Sequence, residues 1–136
     1  MTPVELARLH AACFTTPRPW SEADFASILT TTGAFLLTRP AGFLIGRVVA
    51  DEAELLTVAV TPNARRTGTG RALMMEFDAA SRDRGAATAF LEVAANNDPA
   101  LALYRATGWQ QIGQRRRYYG PDLDAIIMQL SFRPAE

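Results

Sequence analysis

The sequence predicts a single α/β or α+β domain built on a mixed sheet. Three observations carry that expectation. Short apolar runs of strand length alternate with runs of helical period: two helices, three strands, a helix, a strand, a helix and two strands. A bare, glycine-bearing segment, RRTGTGRALM at 65–74, stands between a strand and a helix, as in a right-handed crossover between strands. The chain has 136 residues, 49% hydrophobic and 21% charged, which suits one modest core.

Thr2-Pro3 with Glu5 reads as the start of a helix, with a cap, a proline at the first position and a reciprocating glutamate. Leu6, Leu9 and Cys13 share one face of it. TTPRP breaks it, and Ser21 with Asp24 forms a capping box for the next helix, whose stripe is Phe25, Ile28 and Leu29. AFLLT (34–38) and GFLIGRVVA (42–50) are strands joined at Arg39-Pro40-Ala41. AELLTVAV (53–60) is a third strand, ended by Thr61-Pro62-Asn63. A helix is expected from Thr69 to Arg84 with Leu73, Phe77 and Ala80 inward and Gly85 as its stop. ATAFLEVAA (87–95) is a strand, Asp98-Pro99 opens a short helix closed by Gly108, and the stretches from Trp109 and Asp124 form two strands around Gly120-Pro121.

Composition excludes several classes of function. Net charge is zero, so no overall field draws the chain to nucleic acid or membrane. All fourteen basic residues are arginine, which excludes a lysine Schiff base and a phosphate-loop lysine. The lone Cys13 cannot form an internal disulfide, so a reducing, cytoplasmic setting is expected. No apolar run is long enough to span a bilayer, and MTPVELARLH lacks a signal-peptide pattern. No metal is implied.

At Gly68 and Gly70 the main chain is bare where a helix begins, so unpaired N–H groups and the positive end of the helix dipole face outward. Such a terminus suits an anion, above all phosphate, and Arg65, Arg66 and Arg71 add suitable charge. A tight strand-to-helix turn with solvated arginines accounts for the same local pattern. The spacing fits neither a P-loop nor a Rossmann fingerprint, since position 73 is Leu.

The remaining pattern, R-x-x-G-x-G, resembles the pyrophosphate loop of the GNAT superfamily of acetyl-CoA-dependent N-acetyltransferases. PWSEADFAS (19–27), DEAELLTVAV (51–60), FLEVAANN (90–97), ALALYRATGW (100–109) and RRRYY…DAIIM (115–128) follow the order and spacing of one branch, the bacterial ribosomal-protein alanine N-acetyltransferases of RimI type. The resemblance covers Pro19 to Met128. It implies a mixed, mostly antiparallel sheet flanked by about four helices. Main-chain groups of Val58, Ala59 and Val60 would hold the acetyl and pantetheine part of acetyl-CoA. The loop Arg66, Thr67, Gly68, Thr69, Gly70 and Arg71 would hold the pyrophosphate, and Asn97 the pantetheine arm. Glu92 would accept a proton and Tyr104 would donate one. Trp20, Tyr118 and Tyr119 would belong to the groove for the acceptor, a protein or peptide N-terminus, possibly that of a ribosomal protein.

The chemistry agrees with these roles. An N-terminal amine, pKa ~7.7–8.0 against ~10.4 for lysine, can be deprotonated by a carboxylate, directly or through one water. A tyrosine near ~10 can protonate a leaving thiolate near ~8.5. Backbone N–H groups of residues 58–60 can serve the developing oxyanion. With no evident cysteine nucleophile, transfer is expected to be direct. Each residue also has an ordinary reading: Glu92 on a solvated strand face, Tyr104 as core, Asn97 as a helix-opening residue, Trp20 and Trp109 as core or groove wall, and His10 and Cys13 as packing residues of the first helix.

Two departures from the resemblance stand out. The chain starts at the first helix, so the usual first edge strand is expected to be missing, leaving an edge for a second chain; monomer and dimer stay open. Only four residues, 120–123, separate Tyr119 from Asp124, fewer than expected where the acceptor should lie. Acceptors of other kinds, a small-molecule amine or a protein lysine, therefore stay open. So do a non-catalytic acetyl-CoA-binding module and a ribosome-associated RNA-binding role for Arg115–Tyr119.

Overall fold

The computed structural model describes residues 1–14, 18–64 and 67–132. The elements follow the expected order: α1 (Pro3–Cys13), α2 (Glu22–Leu29), β1 (Ala34–Arg39), β2 (Gly42–Val49), β3 (Glu52–Val60), α3 (Thr69–Asp83), β4 (Thr88–Ala94), α4 (Asp98–Ala106), β5 (Gln110–Gly120) and β6 (Leu123–Ser131). Both expected capping boxes form. Thr2 and Glu5 bond reciprocally at α1, and Ser21 and Asp24 do so at α2, each satisfying two otherwise unpaired backbone donors.

The six strands form one sheet in the order β1-β2-β3-β4-β6-β5. Every neighbouring pair is antiparallel except β3–β4, joined through α3 as the crossover pattern requires. That parallel pair is short. It runs only from Glu52↔Thr88 to Glu54↔Phe90, although β3 continues to Val60 and β4 to Ala94. The two strands therefore part beyond Glu54, and the sheet opens there.

A bulge lies beside the opening. Ile45 pairs with Thr57 and Gly46 with Leu55, so Leu56 is the extra residue. Ahead of it Ala53 and Leu55 enter the larger core with Leu73, Phe77, Leu91 and Trp109; beyond it Val58 and Val60 point to that side, while Ala59 joins the second cluster. Simple alternation would have kept residues 53, 55, 57 and 59 together.

The two faces are covered unequally. The α3 and α4 face carries the larger cluster, to which every strand from β1 to β4 and β6 contributes. The opposite face has α1 and α2 packed only over β1, β2 and β3, around Leu6, Phe25, Phe43, Ile45 and Ala59. No residue of β4, β5 or β6 joins that cluster. On this face the half-sheet β4-β6-β5 forms an open shelf.

Candidate active site

The site is assembled where β3 and β4 part. On one side is the start of α3. Thr2, Ser21 and Asn97 cap the other three helices with side-chain oxygens, but the cap of α3 is Gly68, which has no side chain to offer. The first helical bond runs from Ala72 N–H to Gly68 C=O, leaving the N–H groups of Thr69, Gly70 and Arg71 ahead of it. Gly68 has φ +88° with open space around it, so the left-handed turn is what requires glycine here. Gly70 is bare for another reason: a Cβ there would lie 3.2 Å from a methyl of Leu103 on α4. Thr67 bonds to the Ala64 carbonyl and shares a 3.1 Å contact with the Thr69 hydroxyl, which folds the loop back on itself. Arg71 is exposed. Arg65 and Arg66 lie outside the described residues.

Beside this terminus runs the free edge of β3. The Val60 carbonyl accepts from the Cys13 thiol at 3.1 Å, tying the end of α1 to the end of β3. Asn97 caps α4 through Oδ1, 3.3 Å from the Ala100 N–H, so its carboxamide NH₂ is the part left to meet a ligand. The helix-opening reading of Asn97 is thus correct.

On β4, Leu91 and Val93 point into the larger core, so alternation carries Glu92 to the opposite face and onto the open shelf. Its side chain is 31% exposed, and Oε1 lies 3.3 Å from Nε of Arg115 on the edge strand β5. Register explains the meeting. Glu92 pairs with Ile127, which pairs with the side-chain-free Gly113; Ala94 pairs with Ala125, which pairs with Arg115. Ala94, Ala125 and Gly113 thus leave room beside Ile127 for Arg115 to reach back across β6.

Tyr104 on α4 is buried in the larger core, its ring 6.3 Å from that of Trp109. Burial raises its phenol well above the ordinary tyrosine value, and the neighbouring Tyr119 raises it further. Tyr119 itself is pushed up to about 12, chiefly by burial, then by the charge of Glu92 and by Tyr118. Tyr119 is thus the group linked electrostatically to Glu92 on one side and to Tyr104 on the other, and burial holds both phenols neutral.

The wall of the shelf is irregular. Register passes from Arg115↔Ala125 to Gly120↔Leu123, so Arg116, Arg117, Tyr118 and Tyr119 face Asp124 alone. Arg117 adopts φ +55°, and the Asp124 carboxylate accepts from the Arg117 N–H at 2.9 Å and from Gln114 Nε2 at 2.5 Å. These bonds hold the Asp124 carboxyl below the usual range. The four residues 120–123 make a tight hairpin turn, and the shape of the wall comes from the bulge instead. Periodicity gave no signal for this bulge; the aspartate that pins it lies seven residues away.

Of the other expected groove residues, Trp20 is half-buried and stacks on His10 at 5.4 Å within the second cluster. Trp109 is buried core, stacked on Phe77. His10 is a packing residue, as expected, and Cys13 flanks it. No group of three or more potential metal ligands occurs among the described residues. None of the described helices is long and apolar enough to cross a membrane.

The parted parallel strand pair with an uncapped helix terminus between its strands is the frame of an N-acetyltransferase. Residues 4–109 match the acetyltransferase (GNAT) family, and the chain belongs to it. Within that family it is 42% identical over 125 residues to the [ribosomal protein bS18]-alanine N-acetyltransferase of Escherichia coli K12, covering 82% of this chain and 80% of that one. It is 36% identical over 122 residues to the N-alpha-acetyltransferase RimI of Mycobacterium tuberculosis, covering 83% and 75%. The crystal structure of the Escherichia coli ribosomal-protein-S18-alanine N-acetyltransferase superposes with a TM-score of 0.83 at 38% identity, covering 96% of this chain and 87% of that one.

Proposed function

We propose that the protein transfers an acetyl group from acetyl-CoA to the α-amine of a protein N-terminus, with Glu92 as proton acceptor and Tyr104 as proton donor. The observation that carries this reading is the position of Glu92 on an open shelf, next to the gap between β3 and β4. An extended chain end can lie on such a shelf, whereas a small amine would need enclosure to be held. The similarity to enzymes named for N-terminal alanine acetylation favours the same acceptor class.

The donor fits the residues present. The N–H groups of Thr69, Gly70 and Arg71, which have no partner among the described residues, stand with the dipole of α3 behind them and suit a diphosphate, and the exposed Arg71 adds charge. Arg66 would contribute there as well. Along Val58, Ala59 and Val60 the strand β3 has no ladder partner on its β4 side, so this edge would hold the acetyl and pantetheine part, and Asn97 retains its NH₂ for the pantetheine arm. Acetyl-CoA, when bound, supplies the activated thioester.

Within this frame Glu92 removes a proton from the acceptor ammonium, directly or through one water, as the amine nitrogen approaches the acetyl carbon. An N–H of the β3 edge stabilises the charge growing on the carbonyl oxygen. Tyr104 gives its proton to the departing sulfur, burial keeping the phenol protonated until that moment, and the second proton of the acceptor nitrogen returns to the phenolate as the amide forms. Tyr118, Tyr119 and Trp20 would position the acceptor.

The test is a panel of peptides varied in the first residue, assayed with acetyl-CoA beside an N-terminally blocked peptide containing lysine and a set of small amines. Acetylation confined to free α-amines supports the reading. Turnover of the blocked lysine peptide or of small amines at higher kcat/KM overturns it.

A further inference from the structure

The Glu92–Arg115 contact has a role beyond holding two strands together. An acceptor reaches the shelf with its ammonium largely protonated near neutral pH, so it is a cation seeking the same carboxylate that Arg115 already touches. We propose that Arg115 is a displaceable counterion that occupies, in the acceptor-free enzyme, the place taken by the acceptor ammonium against Glu92. This inference rests on the reading of Glu92 as the proton acceptor.

Three features of the structure argue for displacement over a fixed structural pair. The contact is single, Nε to Oε1 at 3.3 Å, and the Arg115 side chain is 55% exposed, so solvent screens the pair and little holds it shut. Arg115 also lies over the ring of Tyr118, with Cζ 5.4 Å from its centroid, so a guanidinium leaving Glu92 keeps a favourable partner. Finally, the backbone around it is pinned independently: Asp124 bonds Gln114 on one side and the Arg117 N–H on the other. The side chain can swing without loosening the wall that positions Tyr118 and Tyr119. Guanidinium is always charged, so its competition with the acceptor does not fade across the working pH range. Arg115 is thereby a positioning residue that sets how readily a cationic chain end gains the carboxylate.

The experiment compares wild type, Arg115→Gln and Arg115→Lys in steady state with an alanine-initiated peptide and saturating acetyl-CoA. Arg115→Gln should lower the peptide KM about two- to fivefold, the range expected for an exposed ion pair, with kcat and the KM for acetyl-CoA unchanged. Arg115→Lys should restore the wild-type KM. In a Glu92→Gln background, calorimetric titration of the same peptide should show no further effect of Arg115→Gln. A raised KM, an unmoved KM, or the same gain in the Glu92→Gln background overturns the inference. Full turnover by Glu92→Gln sinks the proton-acceptor reading itself. Lost turnover in Glu92→Gln with an unmoved KM in Arg115→Gln sinks only the role of Arg115.

Discussion

Nε2 of His10 lies 3.1 Å from the hydroxyl of Thr57, joining α1 to the β3 segment just past the bulge. The other ring nitrogen, Nδ1, accepts from the Trp20 N–H at 3.1 Å, which assigns the ring proton to Nε2. The imidazole is 3% exposed and stacks with Phe14 and Trp20. It is thus a neutral tie among α1, the segment leading into α2 and the strand that borders the gap.

Acid should expose this tie. Burial lowers the His10 pKa to about 4, below the ordinary 6.5. Between those values the unfolded chain binds a proton that the folded one does not, so stability falls as pH drops from about 6.5 to about 4 and then levels off. The loss should be on the order of 3 kcal/mol. Urea unfolding across that pH range should show it, and His10→Gln should flatten it. An equally steep decline in His10→Gln would mean that other groups cause it.

Glu92→Gln and Tyr104→Phe should each lower kcat by roughly 10²–10⁴-fold. Acetyl-CoA affinity, read by titration, should hold in both. Tyr104→Phe keeps the ring that packs on Trp109, so its melting temperature should stay near that of wild type. A Tyr104→Phe enzyme with normal kcat would leave the phenol a core residue and nothing more.

Gly68 separates ligand binding from packing better than Gly70 does. A side chain at Gly70 meets Leu103, so Gly70→Val would disturb the α3–α4 contact as well as the anion site. Gly68 has open space but a left-handed φ. Gly68→Ala should cost about 1 kcal/mol of stability and, by moving the free N–H groups of α3, weaken acetyl-CoA binding by tenfold or so. Unaltered affinity in the folded variant would detach this helix terminus from the diphosphate.

Ser81 offers a stabilising change. Its Oγ is fully buried in α3 and has no hydrogen-bond partner among the described residues. Ser81→Ala removes an unsatisfied hydroxyl and installs a better helix former, so stability should rise by about 1 kcal/mol. Thermal unfolding checks this, and a lower melting temperature would point to a partner for the hydroxyl.

Much of this architecture was legible in the residues. The capping pairs Thr2–Glu5 and Ser21–Asp24, the stops at Gly85 and Gly108 and the alternation in FLEVA act within a few positions, where local sterics and hydrogen bonds decide the outcome. The same locality exposed Gly68 as a helix start without a side-chain cap, and hence the candidate anion site. Glu92 was legible as an outward-facing strand residue, and motif resemblance supplied its proposed role.

What tertiary structure alone decided concerns partners far apart in the chain. Leu56 gave no sign that it would bulge, because a bulge exists only against the register of β2. Pairing of β4 with β6 rather than β5 depends on which strand completes the sheet, and it is what brings Arg115 within 3.3 Å of Glu92. The link from Tyr104 through Tyr119 to Glu92 likewise arises from three separate elements. Sequence settled what each segment would become, since those choices are made by neighbours along the chain. The fold settled which segments would meet, since that depends on burying both faces of one sheet at once.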